Sequence, residues 1–129
     1  MALLKMDHAI DPKEDLFNRL GDLSGVDIAA NRVLCAVYIR PEKTKSGLYL
    51  SSKTIDEDRY QGKIGLIVKA GPLAFDPESD WFSGINYKPG DWVMFRPSDG
   101  WSLEIHGVLC RVIDDVKIAG KISNCDEVW

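Results

Sequence analysis

The sequence predicts a mainly β protein, a small barrel or sandwich preceded by one short helix. Short runs with apolar residues at every second position recur from residue 31 onward, and Gly, Pro and Asp turns separate them. Helical spacing of apolar residues occurs only in the first thirty positions. The 129 residues fit one domain that can bury a core without cross-links.

The N-terminal helix is predicted over "DPKEDLFNRLG". Asp11 has the N-cap position, Pro12 is the first helical residue, Glu14 follows three residues after the cap, and Gly21 ends the segment. One apolar face is formed at helical spacing by Leu16, Phe17, Leu20 and Leu23. Because so short a helix is marginal alone in water, it needs a surface to lie on.

Four runs predict the strands, and two long connections separate them. The first run is "RVLCAVYIR", which ends at Pro41, and the second is "GKIGLIVKAGP", with Ile64, Leu66, Val68 and Ala70 on one face. The third run is "PGDWVMFRP", which contains a Gly90-Asp91 turn. The fourth, "SLEIHGVLCRVIDDVKIAGKI", predicts one or two strands and a possible short last strand. The connections span residues 41–62 and 72–89. Connections this long are usually functional or disordered, so function is expected there.

Composition argues against nucleic-acid and membrane binding. The net charge is −4, from 16 basic and 20 acidic residues, without a basic run that could neutralise phosphates. No apolar segment is long enough to span a bilayer, and the start lacks a secretory signal, so a cytoplasmic protein is expected.

The cysteines predict neither a disulfide framework nor a zinc site, because there are three of them at wide spacing. Cys35 and Cys110 lie in apolar strand-like runs and are expected to be buried core thiols, whereas Cys125, in the tail, is expected to be exposed. No metal or cofactor is expected.

Catalytic motifs are missing from the sequence. It contains no GxSxG, HExxH, P-loop or GxGxxG. His8 lies in the N-terminal arm, and His106 is expected to be a strand or turn residue. The acidic clusters at 56–58 and 114–115 are expected to be solvated surface, since neither has calcium-loop spacing. The chain is therefore interpreted as a binding protein without catalytic residues.

Residues 31–115 resemble the GroES-type co-chaperonins, the small lids of the chaperonin cages. "NRVLCAVYIRPEKTKSGLYL" is similar to the family's opening strand and mobile loop, and "YQGKIGLIVKAGP" to its second strand and turn. "YKPGDWVMF" and "GVLCRVIDDVKI" follow in the family's order. The resemblance implies a small irregular GroES-like β-barrel, divided into an extension (1–30), a barrel (31–122) and a tail (123–129).

Ring assembly is a further implication of the resemblance. It implies a ring of about seven copies that caps a GroEL-type chaperonin, the nucleotide-binding partner, over a client protein. Strands at 32–39 and 112–118 are expected to leave edges that neighbouring subunits pair. The alternative is that both strands pair within a monomer.

The resemblance assigns the loop tripeptide Leu48, Tyr49 and Leu50 to chaperonin binding, with Lys45, Ser46 and Gly47 as its flexible lead. Taken alone, "SGLYLSS" also fits an ordinary strand with both leucines inward. The second connection corresponds to the family's roof hairpin. Its aromatics, Phe75, Trp81 and Phe82 with Tyr87, either cover the barrel end or face the opening and client.

Two other functions compete with the co-chaperonin interpretation. The extensions and the aromatic-rich loop suggest a divergent variant, as carried by bacteriophages, acting in host cytoplasm with a capsid protein as one possible client. A phage virion decoration protein that reuses the barrel is the first rival. A fragment of a medium-chain alcohol dehydrogenase is the second, and the missing nucleotide-binding half argues against it.

Overall fold

A computed structural model of the chain describes residues 8, 10–40, 49, 51, 53, 62–76, 78, 80–82 and 85–127. One helix and six strands follow one another, with 3-10 turns at Asp80–Phe82 and Asp115–Lys117: α1 (Pro12–Leu20), β1 (Arg32–Val37), β2 (Ile64–Ala70), β3 (Trp92–Met94), β4 (Trp101–Ile105), β5 (Val108–Asp114) and β6 (Gly120–Ile122). No helix within these residues has the length and apolar character of a membrane span.

The six strands form one antiparallel sheet in the order β4-β5-β1-β2-β3-β6. This confirms the mainly β prediction with a single short helix, and it is consistent with a small GroES-like barrel. A register shift between Leu34 and Cys35 bends β1 against β2. The short strands β4 and β6 form the two outer edges of the described sheet.

The strands predicted to carry unpaired edges lie inside the sheet, so that prediction was wrong. β1 pairs with β2 on one side and β5 on the other, and β5 pairs with β1 and β4. Residues 115–117, predicted to extend the last long strand, form a 3-10 turn instead. The outer edges of the described sheet belong to β4 and β6, because β2 and β5 flank β1, and the hairpin between β4 and β5 places β4 on the free side of β5.

The predicted N-terminal helix is confirmed at both ends. The Asp11 side chain accepts the N–H of Glu14 at 3.3 Å, and the Gly21 N–H donates to the Phe17 carbonyl at 3.0 Å. Leu16 and Leu20 are buried, but Phe17 is 36% exposed. The apolar face that contacts the sheet is therefore narrower than the sequence pattern predicted.

Both faces of the sheet are buried, and each has its own hydrophobic core. The helix-side core contains Leu16, Leu20, Ile28, Leu34, Ala36, Tyr38, Ile64, Leu66, Val68, Trp92, Ile105, Val108, Cys110, Val112 and Cys125. The loop-side core contains Val33, Cys35, Ile67, Phe75, Phe82, Val93, Phe95, Ile113 and Ile118. Because successive residues of β1 after Arg32 face alternate sides of the sheet and both sides are buried, residues 33–37 are all apolar.

The β4–β5 hairpin turns at His106 and Gly107, as the turn prediction for His106 anticipated. Both residues have positive φ, 51° and 80°, the backbone sign that a tight two-residue hairpin turn requires. The His106 Nδ1 also hydrogen-bonds to the Leu20 carbonyl oxygen. This contact links the end of α1 to the hairpin tip.

The cysteine predictions were correct for two thiols and wrong for the third. Cys35 and Cys110 are fully buried, and burial raises the pKa of Cys110 to about 11. Cys125 is 4% exposed, because residues 123–127 fold back onto the helix-side core instead of projecting into solvent. Sequence position near the end of the chain is a poor guide to burial when a tail has a surface to cover.

Candidate functional site

The first long connection leaves and re-enters the sheet through adjacent paired strands. Val37 pairs with Gly65, and the Tyr38 N–H donates to the Ile64 carbonyl at 2.9 Å. On the return side, the Lys63 carbonyl accepts the N–H of Phe95 at 2.9 Å. Both ends of the connection are thus held by backbone hydrogen bonds at one end of β1 and β2, which provides a rigid base.

Tyr49 is the member of the predicted anchor that the structure describes. Its side chain is 71% exposed, the largest exposure among the large apolar residues of the described chain. Leu48 and Leu50 lie outside the described residues, as do Lys45, Ser46 and Gly47. The exposure of Tyr49 fits either prediction for this segment, an anchor or a strand with its tyrosine outward.

The second connection begins with a turn packed against the segment before β1. The N–H of Gly71 donates to the Arg32 carbonyl at 2.8 Å, and that of Leu73 to the Ala30 carbonyl at 3.0 Å. A Cβ atom on Gly71 would lie 2.3 Å from the Ala30 oxygen, so this close approach requires glycine. The turn therefore has a fixed path over the barrel.

Phe75 has a positive φ of 56°, which bulky residues rarely adopt. Its backbone N–H donates to the buried Asp115 carboxylate at 3.0 Å, and Asn31 donates its side-chain amide to the same carboxylate at 2.9 Å. The geometry directs the Phe75 ring into the loop-side core. These two hydrogen bonds hold the unusual backbone conformation in place.

The aromatics of the second connection separate into buried and exposed positions. The Phe75 ring meets Phe82 edge-on with centroids 5.5 Å apart, and it meets Tyr87 edge-on at 5.3 Å. Phe75 and Phe82 are buried, whereas Trp81 is 64% exposed. Phe75 and Phe82 thus cover the loop-side core, and Trp81 is the exposed aromatic of this predicted trio.

Asp115 was missed by sequence reasoning, which placed it with Asp114 on a solvated surface. Asp114 is exposed as expected, but Asp115 is 3% exposed and accepts hydrogen bonds from two distant segments. Its partner Asn31 lies 84 positions away, so no local pattern marks the contact. The acidic run at 56–58 lies outside the described residues.

A polar cluster lies where the chain's first and last described residues meet. The Tyr38 hydroxyl donates to Asp126 Oδ1 at 2.7 Å, and His8 Nε2 lies 3.0 Å from Asp126 Oδ2. Burial and the neighbouring Asp126 carboxylate raise the pKa of the Tyr38 hydroxyl, which stays protonated and donating. No local sequence pattern marks this cluster, because its members are widely separated in the chain.

The sequence that forms this sheet and its two long connections matches a known family. A model of the Chaperonin 10 Kd subunit family matches residues 26–122. The chain belongs to this family. Its members are co-chaperonins that form rings and partner GroEL-type chaperonins, and they are not enzymes. No significant match occurs among curated proteins.

The family match excludes both ends of the chain. Helix α1 and His8 precede residue 26, while Cys125 and Asp126 follow residue 122. Leu16, Leu20 and Cys125 nevertheless belong to the helix-side core. These extensions are therefore packed parts of the same structure and not loose additions to the co-chaperonin segment.

Proposed function

We propose that a ring of this chain caps a GroEL-type chaperonin and encloses a client protein for folding. Leu48, Tyr49 and Leu50 of each subunit are the anchor that docks into a hydrophobic groove of the chaperonin. Membership of the Chaperonin 10 Kd subunit family carries the proposal. The 71% exposure of Tyr49, on a connection with a rigid base, is compatible with this position for the anchor.

The residues around the anchor favour binding that is coupled to ordering. The polar composition of residues 43–47 and 51–58 predicts a segment that cannot bury enough apolar surface to order itself. Burying one leucine side chain contributes about 1.5–3 kcal/mol. Ordering a segment on binding costs about 2–5 kcal/mol. The two leucines and the tyrosine therefore give each loop only a small net affinity.

Ring assembly converts weak single contacts into tight capture. Linked loops bind with a high effective concentration, so avidity exceeds the affinity of one loop by about 10²–10⁴. Seven copies per ring is the size that we propose. Such a lid holds firmly while all loops are engaged and dissociates when the chaperonin changes its grooves.

The exposed aromatic of the second connection has a separate place in this proposal. Trp81 is 64% exposed while Phe75 and Phe82 are buried. We assign Phe75 and Phe82 to covering the barrel end and Trp81 to the surface that faces the opening or the client. Indole rings suit such a surface, because they combine a large apolar face with one hydrogen-bond donor.

Leu48→Ser combined with Leu50→Ser tests the anchor. We expect at least a 100-fold loss of capture, because each loop loses the affinity of two apolar side chains and this loss is multiplied over all loops of the ring. Chaperonin capture is measured by co-sedimentation with nucleotide present. Native mass spectrometry of the same variant should still report the wild-type ring, with about seven copies.

Leu73→Ser is the matched control for this experiment. Leu73 is 63% exposed on the second connection, so this variant removes a similar exposed apolar surface at a different place on the chain. It should capture chaperonin as the wild type does. Undiminished capture by the double variant contradicts the anchor, and a monomeric wild-type mass contradicts the ring.

The virion decoration role remains a prediction that no observation favours over capping. That role would use the extensions as assembly arms. Residues 10–21 and 123–127 instead contribute Leu16, Leu20 and Cys125 to the chain's own core. Binding to capsids without nucleotide, in place of nucleotide-dependent chaperonin binding, would favour the virion role.

A further inference from the structure

Three metal-ligand side chains converge at the junction of the N-terminal and C-terminal extensions. The ligand atoms of His8, Cys125 and Asp126 all lie within 4.8 Å of one another. They supply an imidazole nitrogen, a sulfur and a carboxylate oxygen. This mixture of nitrogen, sulfur and oxygen donors is typical of zinc.

The geometry leaves one carboxylate oxygen positioned for a metal ion. Tyr38 donates its hydroxyl to Asp126 Oδ1 at 2.7 Å, while Oδ2 faces His8 Nε2 at 3.0 Å. Zinc–ligand bonds of about 2.0–2.3 Å separate the donor atoms of a tetrahedral site by about 3.3–3.8 Å. Shifts of about 1 Å would therefore bring all three donors to zinc distance.

The surroundings shield the three ligands from most of the solvent. Cys125 and Tyr38 are buried, and the side chains of His8 and Asp126 are 18% and 13% exposed. Tyr38 also places its hydroxyl 3.2 Å from His8 Nε2, so one buried phenol contacts two of the three donor residues. Such an outer partner fixes the orientation of metal ligands.

The position of the cluster suggests what the ion would do. His8 lies before the family-matched segment and Cys125 and Asp126 lie after it, while Tyr38 lies within it and directly follows the first strand. An ion bound there would join three separate parts of the chain. It would fasten both extensions over the helix-side core, beside the base of the first long connection.

We propose that His8, Cys125 and Asp126 bind one zinc ion per chain, with Tyr38 as the hydrogen-bonded outer partner. A water molecule completes the tetrahedron. Binding forms a zinc–thiolate bond at Cys125, and the displaced thiol proton passes to solvent. The site is independent of chaperonin capping, since it uses no residue of the proposed anchor.

Calorimetric titration of the metal-free full-length protein with zinc tests this proposal. We expect one zinc per chain in the wild type, and at least 100-fold weaker binding in His8→Gln. Tyr38→Phe should weaken binding by about 10–100-fold, the usual effect of losing an outer partner. His106→Asn is the matched control, because it removes the chain's other histidine while asparagine tolerates the positive φ of 51° at that position.

Two further measurements complement the titration, and the second does not depend on whether Cys125→Ser folds. Cobalt, added in place of zinc, should give thiolate charge-transfer absorption that Cys125→Ser loses and Cys110→Ala retains. Zinc at 100-fold excess over its Kd should also raise the wild-type Tm by about 5–10 °C, and His8→Gln should show no such shift. Zinc binding that is equal in wild type and His8→Gln, or absent from the wild type, overturns the proposal.

Discussion

The two faces of the sheet are covered by different parts of the chain. Every member of the loop-side core lies within the family-matched residues 26–122, and the second long connection supplies its aromatic cover. The helix-side core instead takes Leu16, Leu20 and Cys125 from the extensions. The co-chaperonin segment thus builds its own cover on one face, and on the other it shares a core with residues outside the family match.

The difference extends to how each cover is fastened. On the loop side, the buried Asp115 carboxylate holds the backbone of Phe75. On the helix side, Lys69 Nζ donates to the carbonyls of Leu23 and Val26, and the His8–Tyr38–Asp126 cluster joins the two extensions. Side-chain hydrogen bonds between distant segments therefore help to fasten both covers, through one buried carboxylate on the loop side and through Lys69 and the polar cluster on the helix side.

The loop-side cover should be the more sensitive to a single truncation. Phe75→Ala should lower the free energy of unfolding by about 3–5 kcal/mol, because it removes a buried ring that contacts both Phe82 and Tyr87. Urea denaturation measures this loss. Trp81→Ala, at the 64% exposed aromatic of the same connection, should change stability by less than about 1 kcal/mol. Equal losses would mean that the second connection does not cover the core as described.

The helix-side cover should show a somewhat smaller loss at its best-buried leucine. Leu20 is 1% exposed at the end of α1, and Leu20→Ala should cost about 2–4 kcal/mol of unfolding free energy. Phe17→Ala, on the outer side of the same helix, is the matched variant and should cost less than about 1 kcal/mol. If Leu20→Ala is as mild as Phe17→Ala, the extension does not share the core of the co-chaperonin segment.

The smallest expected effect concerns pH and the thiol of Cys110 in the helix-side core. Burial raises its pKa from an ordinary 9.0 to about 11. Between these values the unfolded chain ionises first, so the thiol's contribution to stability is complete below pH 9 and declines as the pH rises. The stability difference between wild type and Cys110→Ala should shift against the wild type by about 1 kcal/mol from pH 8 to pH 10.

This comparison cancels the other titrating groups, which are the same in both proteins. Unfolding free energies from urea titrations at the two pH values measure the shift. A difference that stays constant with pH would show that the Cys110 thiol ionises as readily in the folded chain as in the unfolded one.

Local structure was predictable because its causes are local. The start of α1 followed from Asp11 and Pro12, and the structure confirms both the cap and the helix. Strand runs were recognisable from alternation, whereas His106 was expected in either a strand or a turn, and the structure shows the turn. Residue order also carried the family resemblance, which the match over residues 26–122 confirms.

Contacts between distant segments could not be predicted in the same way. Cys125 was expected in solvent and is buried, and Asp115 was expected on the surface and holds the second connection. Each error concerns a residue whose neighbours are far away in the chain. The anchor residues Leu48 and Leu50 lie outside the described structure, so their role stays a prediction tested by the double variant.

The sequence by itself determined the secondary structure, the family and the segment in which to look for partner binding. These follow from periodicity, caps, turns and motif order, which neighbouring residues specify together. Only the tertiary structure decided which strands form the edges, which aromatics are buried and that His8 meets Asp126, 118 positions away. The physical reason is that burial and long-range hydrogen bonds depend on which surfaces meet, and these surfaces come from segments that are far apart in the chain.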